Sequence, residues 1–446
     1  MTYDMCVATR KGGMTVNKEL VQKTLDYIED NLKAEICAED LSNMTGYSIF
    51  HFYRLFQSAV GMPVMQYITR RKLLNAIYDI SLNNKKTDIV MAYGYETYAG
   101  FYKSFCREIG YTPKEYLEKF KVKKPYRINL IEEEHIIMNH KKIAEILRHY
   151  GLEKEAIADI VYEETGNINE SAYYVGEEYI IKFTANLGVV KKTLDLSEAL
   201  SNVGLVTATV IKTTTGADYV EEEGLYFFVT TRVHGERIKA SALYLENYEK
   251  NARFIGEIIG QLSLALKKVD AVVDENNLFV AVKDWAIPSL SGKLNVSKSY
   301  EVQFIERLAE IYPDLPKQII HRDPNPGNII VSGDEWGFID FDLTEKNVRI
   351  YDPCYAATAI LSESYEEENE KKLTKWINIY REIMTGFDSV AKLSDVEKEA
   401  IPYIIISNQL IATAYFSENE KYHDIYEVNV KMTKWMIDNF DALSIA

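Results

Sequence analysis

Residues 319–331 read Ile319-Ile320-His321-Arg322-Asp323-Pro324-Asn325-Pro326-Gly327-Asn328-Ile329-Ile330-Val331, and residues 336–342 read Trp336-Gly337-Phe338-Ile339-Asp340-Phe341-Asp342. Between them, Ser332-Gly333-Asp334-Glu335 is a polar, glycine-containing tetrapeptide flanked by β-branched and aromatic residues, which predicts a hairpin. The hairpin returns Asp340 and Asp342 toward the segment that carries His321, Asp323 and Asn328. An isolated Asp-x4-Asn carries no information. In order with His321, Asp340, Asp342 and an upstream strand lysine, Lys182, it becomes a set of carboxylates, an amide and a cation at fixed spacing.

Upstream of this block the texture is mixed. Ile143, Ala144, Leu147 and Tyr150 mark a helix ending at Gly151. Strands are predicted at 157–163, 172–175, 179–183, 207–212 and 225–231, with turns at Thr165-Gly166-Asn167 and Val175-Gly176-Glu177-Glu178. From about Leu243 onward most of the chain reads as helix.

The strings HRDPNPGNIIV and FIDFDL, followed by Tyr351-Asp352-Pro353 in place of a protein kinase's Asp-Phe-Gly, resemble the aminoglycoside phosphotransferase/choline kinase-like family. The resemblance implies an α+β bilobal, protein-kinase-like domain over 140–446, with a small lobe at about 140–233 and a helical lobe at about 234–446. It implies ATP (or GTP) and Mg²⁺ as cofactors and an alcohol group on a small molecule as phosphoryl acceptor. Asp323 would accept the hydroxyl proton, and His321 would orient the loop rather than act as a base. Asn328 and Asp340 would hold the metal, with Asp342 either a second ligand or a structural acceptor. Lys182, within Tyr179-Ile180-Ile181-Lys182-Phe183, would pair with the α/β-phosphates and Glu198 would be its ion-pair partner. Gly166, Asn169 and Ser171 fall where a phosphate-covering loop belongs, and 225–232 would carry the adenine hinge. One departure stands out: Arg322 occupies a position where many family members have glycine.

The N-terminal part has a different pattern. Leu20, Val21, Leu25, Ile28 and Leu32 form one apolar stripe. A second helix begins near Ala38, Gly46-Tyr47 makes a turn, and Ser48 is placed to cap a helix at 49–60. The pattern repeats: a short helix at 87–92, the turn Tyr93-Gly94-Tyr95, and a helix at 98–109. Phe52, Arg54 and Phe56 align with Phe101, Lys103 and Phe105, and the exits Val60-Gly61-Met62-Pro63 and Ile109-Gly110-Tyr111-Thr112-Pro113 agree. A long helix at about 63–82 separates the two units.

Residues 17–120 resemble the DNA-binding domain of the AraC/XylS family of bacterial transcription regulators, an all-α fold with two helix-turn-helix units. The resemblance implies a double-stranded DNA operator read in two adjacent major-groove segments about 34 Å apart. The exposed residues would be Ile49, Phe50, Tyr53 and Arg54 on the first recognition helix and Tyr98, Ala99, Tyr102 and Lys103 on the second. Family members often carry Gln, Arg or Asn here, so the aromatics and Ala99 predict an apolar base readout. Phe52, Phe56, Phe101 and Phe105, at four-residue spacing, are assigned to the core.

Length and charge fit this division. A chain of 446 residues is long for one domain of about 150. Residues 1–127 carry 19 Lys+Arg against 14 Asp+Glu, whereas 128–446 carry 32 against 53, so a basic part precedes a strongly acidic one. The expected organisation is an N-terminal tail (1–16), a DNA-binding domain (17–120), a linker (121–139) and the phosphotransferase-like domain. The basic stretch at 121–127 reads as a solvated linker. Four cysteines without a CxxC pair argue against a zinc site or disulfide framework. No apolar run approaches the roughly 18 residues of a membrane span and no secretory signal opens the chain, so no membrane partner and a cytoplasmic location are expected. Three functions stay open: a regulator with an active small-molecule kinase, one whose kinase-like domain is a silent nucleotide or ligand sensor, or a resistance-type enzyme whose DNA-binding domain regulates its own operon. The sequence assigns no oligomeric state.

Overall fold

The computed structural model describes residues 18–82, 85–131, 137–162, 166–294, 296–366, 369–418 and 423–445. The tail at 1–16 and Thr165 of the glycine turn lie outside the described residues. The chain divides into two compact units. The N-terminal unit holds the described residues up to Val190 together with Val210–Arg232, and the C-terminal unit holds Lys191–Thr209 and the chain from Val233 onward. No helix among the described residues is long and apolar enough to cross a membrane.

The N-terminal unit opens with seven helices: α1 (Lys18–Asp30), α2 (Ala38–Thr45), α3 (Ile49–Val60), α4 (Val64–Ser81), α5 (Lys86–Ala92), α6 (Tyr98–Ile109) and α7 (Pro113–Lys119). Phe52, Phe56, Phe101 and Phe105 are fully buried, as their spacing predicts, because residues four apart share one helix face. Both units end alike: Gly61 and Gly110 stop α3 and α6 in the left-handed region at φ 91° and 87°. The helix starts differ. Thr97 caps α6 by accepting the Gly100 N–H at 3.1 Å. Ser48 holds the equivalent position with extended backbone but makes no side-chain cap.

The segment after α7 departs from a solvated tether. The side chains of Lys121, Lys123, Lys124, Tyr126 and Arg127 are exposed, but Ile128, Leu130 and Ile137 are buried in the core of the helical domain. Gln22 fixes the strap at two points, donating to Ile128 O at 3.0 Å and accepting from Leu130 N at 2.8 Å. Burying three large apolar residues contributes roughly 1.5–3 kcal/mol each, which offsets part of the entropy lost when the segment is held.

Helix α8 (His140–Leu147) then leads to the sheet strands β1 (Ile157–Val161), β2 (Ile168–Val175) and β3 (Tyr179–Thr184). After α9 (Leu187–Asn202), within which the chain enters the C-terminal unit, come β4 (Val210–Ile211), β5 (Val220–Glu222) and β6 (Leu225–Thr231). The sheet order is β1-β2-β3-β6-β4, with β5 also on β6, and these pairs are antiparallel. Strand β4 is shorter than the predicted 207–212 and β2 begins four residues before the predicted 172. Ile143, Ile146 and Leu147 of α8 cover one sheet face, against Tyr173, Ile181 and Phe227.

Among the described residues, the C-terminal unit contains two small sheets and a helical mass. The sheet elements are β7 (Glu236–Arg237), β8 (Asp274–Glu275), β9 (Lys317–Ile320), β10 (Ile329–Ser332), β11 (Glu335–Phe338) and β12 (Glu345–Val348), in the orders β11-β10-β7 and β8-β12-β9. The predicted hairpin is β10-β11, with Ser332 opposite Glu335 and Gly333 at φ 61° in the turn. The helices are α10 (Tyr248–Leu266), α11 (Leu278–Ala281), α12 (Ile287–Ser289), α13 (Lys298–Ile311), α14 (Tyr351–Ser364), α15 (Glu370–Val390), α16 (Asp395–Ser417) and α17 (His423–Asp438). Helices α10 and α15 approach backbone to backbone: a Cβ on Gly256 would lie 2.0 Å from Ile383 O, and one on Gly386 2.1 Å from Arg253 O.

Candidate functional site

The loop between β9 and β10 holds His321, Asp323 and Asn328. The Asp323 carboxylate accepts from Asn325 Nδ2 at 2.8 Å, from Asn328 Nδ2 at 3.1 Å and from the Tyr355 hydroxyl. Burial pushes this carboxyl above the usual carboxylate range, and the three donors pull it part of the way back. Asn328 also donates to Asp323 O at 2.9 Å, so its amide nitrogen is committed and its amide oxygen is the atom left for a cation.

His321 is fully buried, and burial lowers its pKa to about 4, so it is neutral. Its Nε2 contacts Ile339 O at 3.0 Å, and its Nδ1 accepts the Asp323 N–H at 3.3 Å. Those partners fix the Nε2–H tautomer and leave no ring nitrogen for proton transfer. The ring also lies 4.4 Å from that of Phe341. His321 therefore ties the segment bearing Asp323 to the segment bearing Asp340, which makes it a positioning residue.

Two supports escaped the sequence reading. The buried Asp352 carboxylate, in the first turn of α14, accepts the His321 N–H at 3.0 Å and the Arg322 N–H at 2.9 Å. Tyr355, one turn further on, reaches Asp323. The visible signal was Tyr351-Asp352-Pro353, a mark of resemblance to which no role was attached. Arg322 has φ 72°, in the left-handed region that favours glycine, which explains why glycine suits this position. The arginine stays because its Nη1 lies 3.3 Å from Oε2 of buried Glu345.

Asp340 is exposed and also left-handed, at φ 66°, where it starts the short turn Phe341–Leu343. Asp342 is exposed, and its carbonyl accepts from Lys192 Nζ at 3.3 Å. Among the described residues no three His, Cys, Asp or Glu side chains converge as a preformed metal cage. The donors fit Mg²⁺ in kind: carboxylate and amide oxygens suit a hard cation, which takes its remaining ligands from phosphates and water.

Of the predicted nucleotide residues, Lys182 is half-buried on β3, opposite Ala172 of β2 and Phe228 of β6. Asn169 Oδ1 accepts from Ser171 N at 3.0 Å and Ser171 Oγ at 3.2 Å, which stiffens the start of β2. Gly166, at φ 70°, packs so tightly on the strap that an added Cβ would lie 1.7 Å from Lys121 O. Glu198 is exposed on α9 and belongs to the C-terminal unit, whereas Lys182 belongs to the N-terminal one.

On the helical domain, Phe50 and Arg54 of α3 and Ala99, Tyr102 and Lys103 of α6 are exposed, Phe50 at 78%. Ile49, Tyr53 and Tyr98 are half-buried, and Tyr53 and Tyr98 pack on the phenylalanine core. The two faces are thus not equivalent: at matching positions the first presents a whole phenyl ring and the second only the Ala99 methyl. Both carry one cation one turn further along.

The family described as "Helix-turn-helix domain" matches residues 41–119, and that described as "Phosphotransferase enzyme family" matches residues 164–384. The uncharacterized HTH-type transcriptional regulator YbfP of Bacillus subtilis is 35% identical over 111 residues, 24% of this chain and 38% of that protein. The HTH-type transcriptional activator AarP of Providencia stuartii is 31% identical over 98 residues, 22% of this chain and 73% of that protein. The chain thus spans well under half of the first relative's length and most of the second's. The solved structure of the amicoumacin kinase hAmiN in complex with AMP-PNP, Ca2+ and Ami is 14% identical, with a TM-score of 0.49, covering 66% of this chain and 92% of that one. With a double helix-turn-helix fold in its first part and the Asp323 loop in its second, the chain belongs to the AraC-type helix-turn-helix regulators and carries, after them, a domain of the phosphotransferase enzyme family.

Proposed function

We propose that this protein is a DNA-binding transcription regulator whose second part transfers the γ-phosphate of MgATP to a hydroxyl of a small molecule. The observation that carries the reading is the support of Asp323. Its carboxylate is held by Asn325, Asn328 and Tyr355 and lifted by burial toward the range of a working base. A buried, supported carboxylate able to accept a proton favours turnover over binding alone.

Asp323 takes the proton of the acceptor hydroxyl as that oxygen attacks. His321 and Asp352 keep the loop in place, and Lys182 pairs with the α/β-phosphates. Asn328, Asp340 and Asp342 would hold Mg²⁺, which when bound neutralises charge on the transferring phosphoryl group. On the DNA side, Arg54 and Lys103 meet phosphates or guanine edges, and Phe50 and Ala99 meet thymine methyls.

The test is transfer of labelled γ-phosphate from MgATP into a metabolite extract supplemented with aminoglycosides, with Asp323→Asn as control. A labelled small molecule made by the wild type alone supports the reading. Nucleotide binding without transfer to any acceptor overturns it in favour of a silent sensor.

A further inference from the structure

We infer that nucleotide binding by the small lobe and operator binding by the helical domain are thermodynamically linked, through a docking surface where the C-terminus of α6 sits on β1. The inference rests on the proposed nucleotide binding and adds its regulation.

The surface is built around Asp159 of β1, which is fully buried. Its carboxylate receives Arg70 Nη2 at 2.5 Å and lies 3.3 Å from His140 Nε2. The same two side chains reach the last carbonyls of the second recognition helix: Arg70 Nη1 donates to Glu108 O at 3.0 Å and His140 Nδ1 to Arg107 O at 3.1 Å. One carboxylate in the sheet thereby organises the two groups that finish α6, and both bring positive or donor character to its negative dipole end. The backbones touch as well. A Cβ on Gly110, the residue that ends α6, would lie 2.5 Å from Ala158 Cα, and Tyr111 donates its hydroxyl to Asp159 O at 3.0 Å.

Past the other end of β1 lie Gly166, Asn169 and Ser171, the residues assigned to the phosphates. Tyr162 N donates to Asn167 O at 2.9 Å and Gly166 N to Tyr162 O at 2.7 Å. Val161 and Ile168, one on each flanking strand, pack into the core of the helical domain rather than that of the sheet. Beyond the turn, Glu170 accepts from Tyr126 of the strap at 2.5 Å, and Tyr126 O accepts from Arg71 of α4 at 2.7 Å. Ala99, Tyr102 and Lys103 stay exposed, so DNA can reach α6 while it is docked. A phosphate that shifts Gly166 or Asn167 therefore acts on Tyr162 and β1, and β1 shares its contacts with α6, because close-packed contacts shift between discrete arrangements rather than stretching.

The test uses the full chain. A duplex is selected by the protein from a random-sequence library, and its affinity is measured by anisotropy with and without a non-hydrolysable ATP analogue and Mg²⁺. Analogue binding is followed independently by its own fluorescence. The expected result is a change in duplex affinity of about fivefold or more, with a reciprocal change of the same factor in analogue affinity. Because Asp159→Asn threatens folding, the variant to compare is Tyr111→Phe. It should fold and bind each ligand separately but with a smaller coupling factor. Analogue binding with duplex affinity unchanged within about twofold overturns the linkage alone. An analogue that does not bind at all overturns the proposed function and the linkage with it.

Discussion

Arg70 and Asp159 form an ion pair at 2.5 Å with side chains 7% and 0% exposed, although 89 residues separate them. Removing one partner of such a pair leaves a charge in a low-dielectric site and costs about 3–5 kcal/mol. Asp159→Asn is therefore expected to lower the stability of the N-terminal unit by at least about 3 kcal/mol in urea unfolding. Burial alone would raise the Asp159 pKa, but Arg70 and His140 hold it below its ordinary 3.8. A depressed carboxylate stabilises the fold above its unfolded value and loses that contribution as pH falls through the folded one. Wild-type stability should thus fall below about pH 4, and the variant should lack this component. A variant as stable as wild type at neutral pH would show that the pair contributes nothing net.

Tyr355→Phe should move the acid limb of the kcat profile. The hydroxyl donates to Asp323 and favours its ionised form against burial, which raises its pKa. Without that donor the Asp323 pKa rises further, so a higher pH is needed to ionise this carboxyl. One hydrogen bond of about 1–1.5 kcal/mol corresponds to a shift of up to about one pH unit toward alkaline. An unmoved limb would exclude Asp323 as the titrating group.

How far these sites were legible depended on how far apart their parts lie in the chain. The hairpin after Asn328 and the closeness of Asn328 to Asp323 could be read directly, because a polar, glycine-containing turn and a five-residue spacing are local features. The paired exits at Gly61 and Gly110 were legible too, since left-handed helix ends leave a glycine in the sequence. Asp352 and Tyr355 were not, because they reach Asp323 and its loop from a helix about thirty residues later, and spacing says nothing at that range. Arg70 and Arg71 were equally hidden. In Arg70-Arg71-Lys72 nothing local shows that the first two are buried on Asp159 and Glu29. The strap at 128–131 hid its role because a few apolar residues after a basic run look the same whether they are tethered or packed.

Asp352→Asn tests the anchor of the Asp323 loop. Burial pushes this carboxyl up to about 7 from its ordinary 3.8, although the N–H groups of His321 and Arg322 oppose the shift. The folded state then binds the proton more tightly than the unfolded one, so this group's contribution is fully present below about pH 4 and is lost as pH rises toward about 7. Asn does not titrate, and stability of the variant should depend less on pH across that window. Its amide can accept one of the two loop N–H groups but turns a donor toward the other, so kcat should fall about tenfold or more. An unchanged stability slope would mean that Asp352 stays ionised throughout.

Arg322→Gly sets two effects of opposite sign against each other. Glycine would release the left-handed strain at φ 72°, worth about 1–2 kcal/mol. It would also strip the cation from Glu345, whose side chain is 3% exposed and which, among the described residues, keeps Asn276 and Asn347 as side-chain donors. Losing the partner of a buried charge costs about 3 kcal/mol or more, so the variant should be less stable by about 1–2 kcal/mol. Adding Glu345→Gln, which removes the buried charge, should restore most of the loss. A single variant more stable than wild type would show that the ion pair does not justify the strained arginine.

The unequal recognition faces predict separable effects on DNA. Arg54→Ala and Lys103→Ala each remove an exposed cation, so each should weaken binding to all duplexes alike and reduce the slope of log affinity against log salt by about 1. Phe50→Ala removes no charge. Its ring is 78% exposed on α3, while the matching position on α6 is already Ala99. Truncating it should leave the salt slope unchanged and alter selectivity at one base pair of one half-site by about 1–3 kcal/mol, read by repeating the duplex selection with the variant. A change confined to the salt slope would assign Phe50 to a contact with the phosphate backbone instead. Unchanged selectivity in both half-sites would place base readout on other residues of α3 and α6.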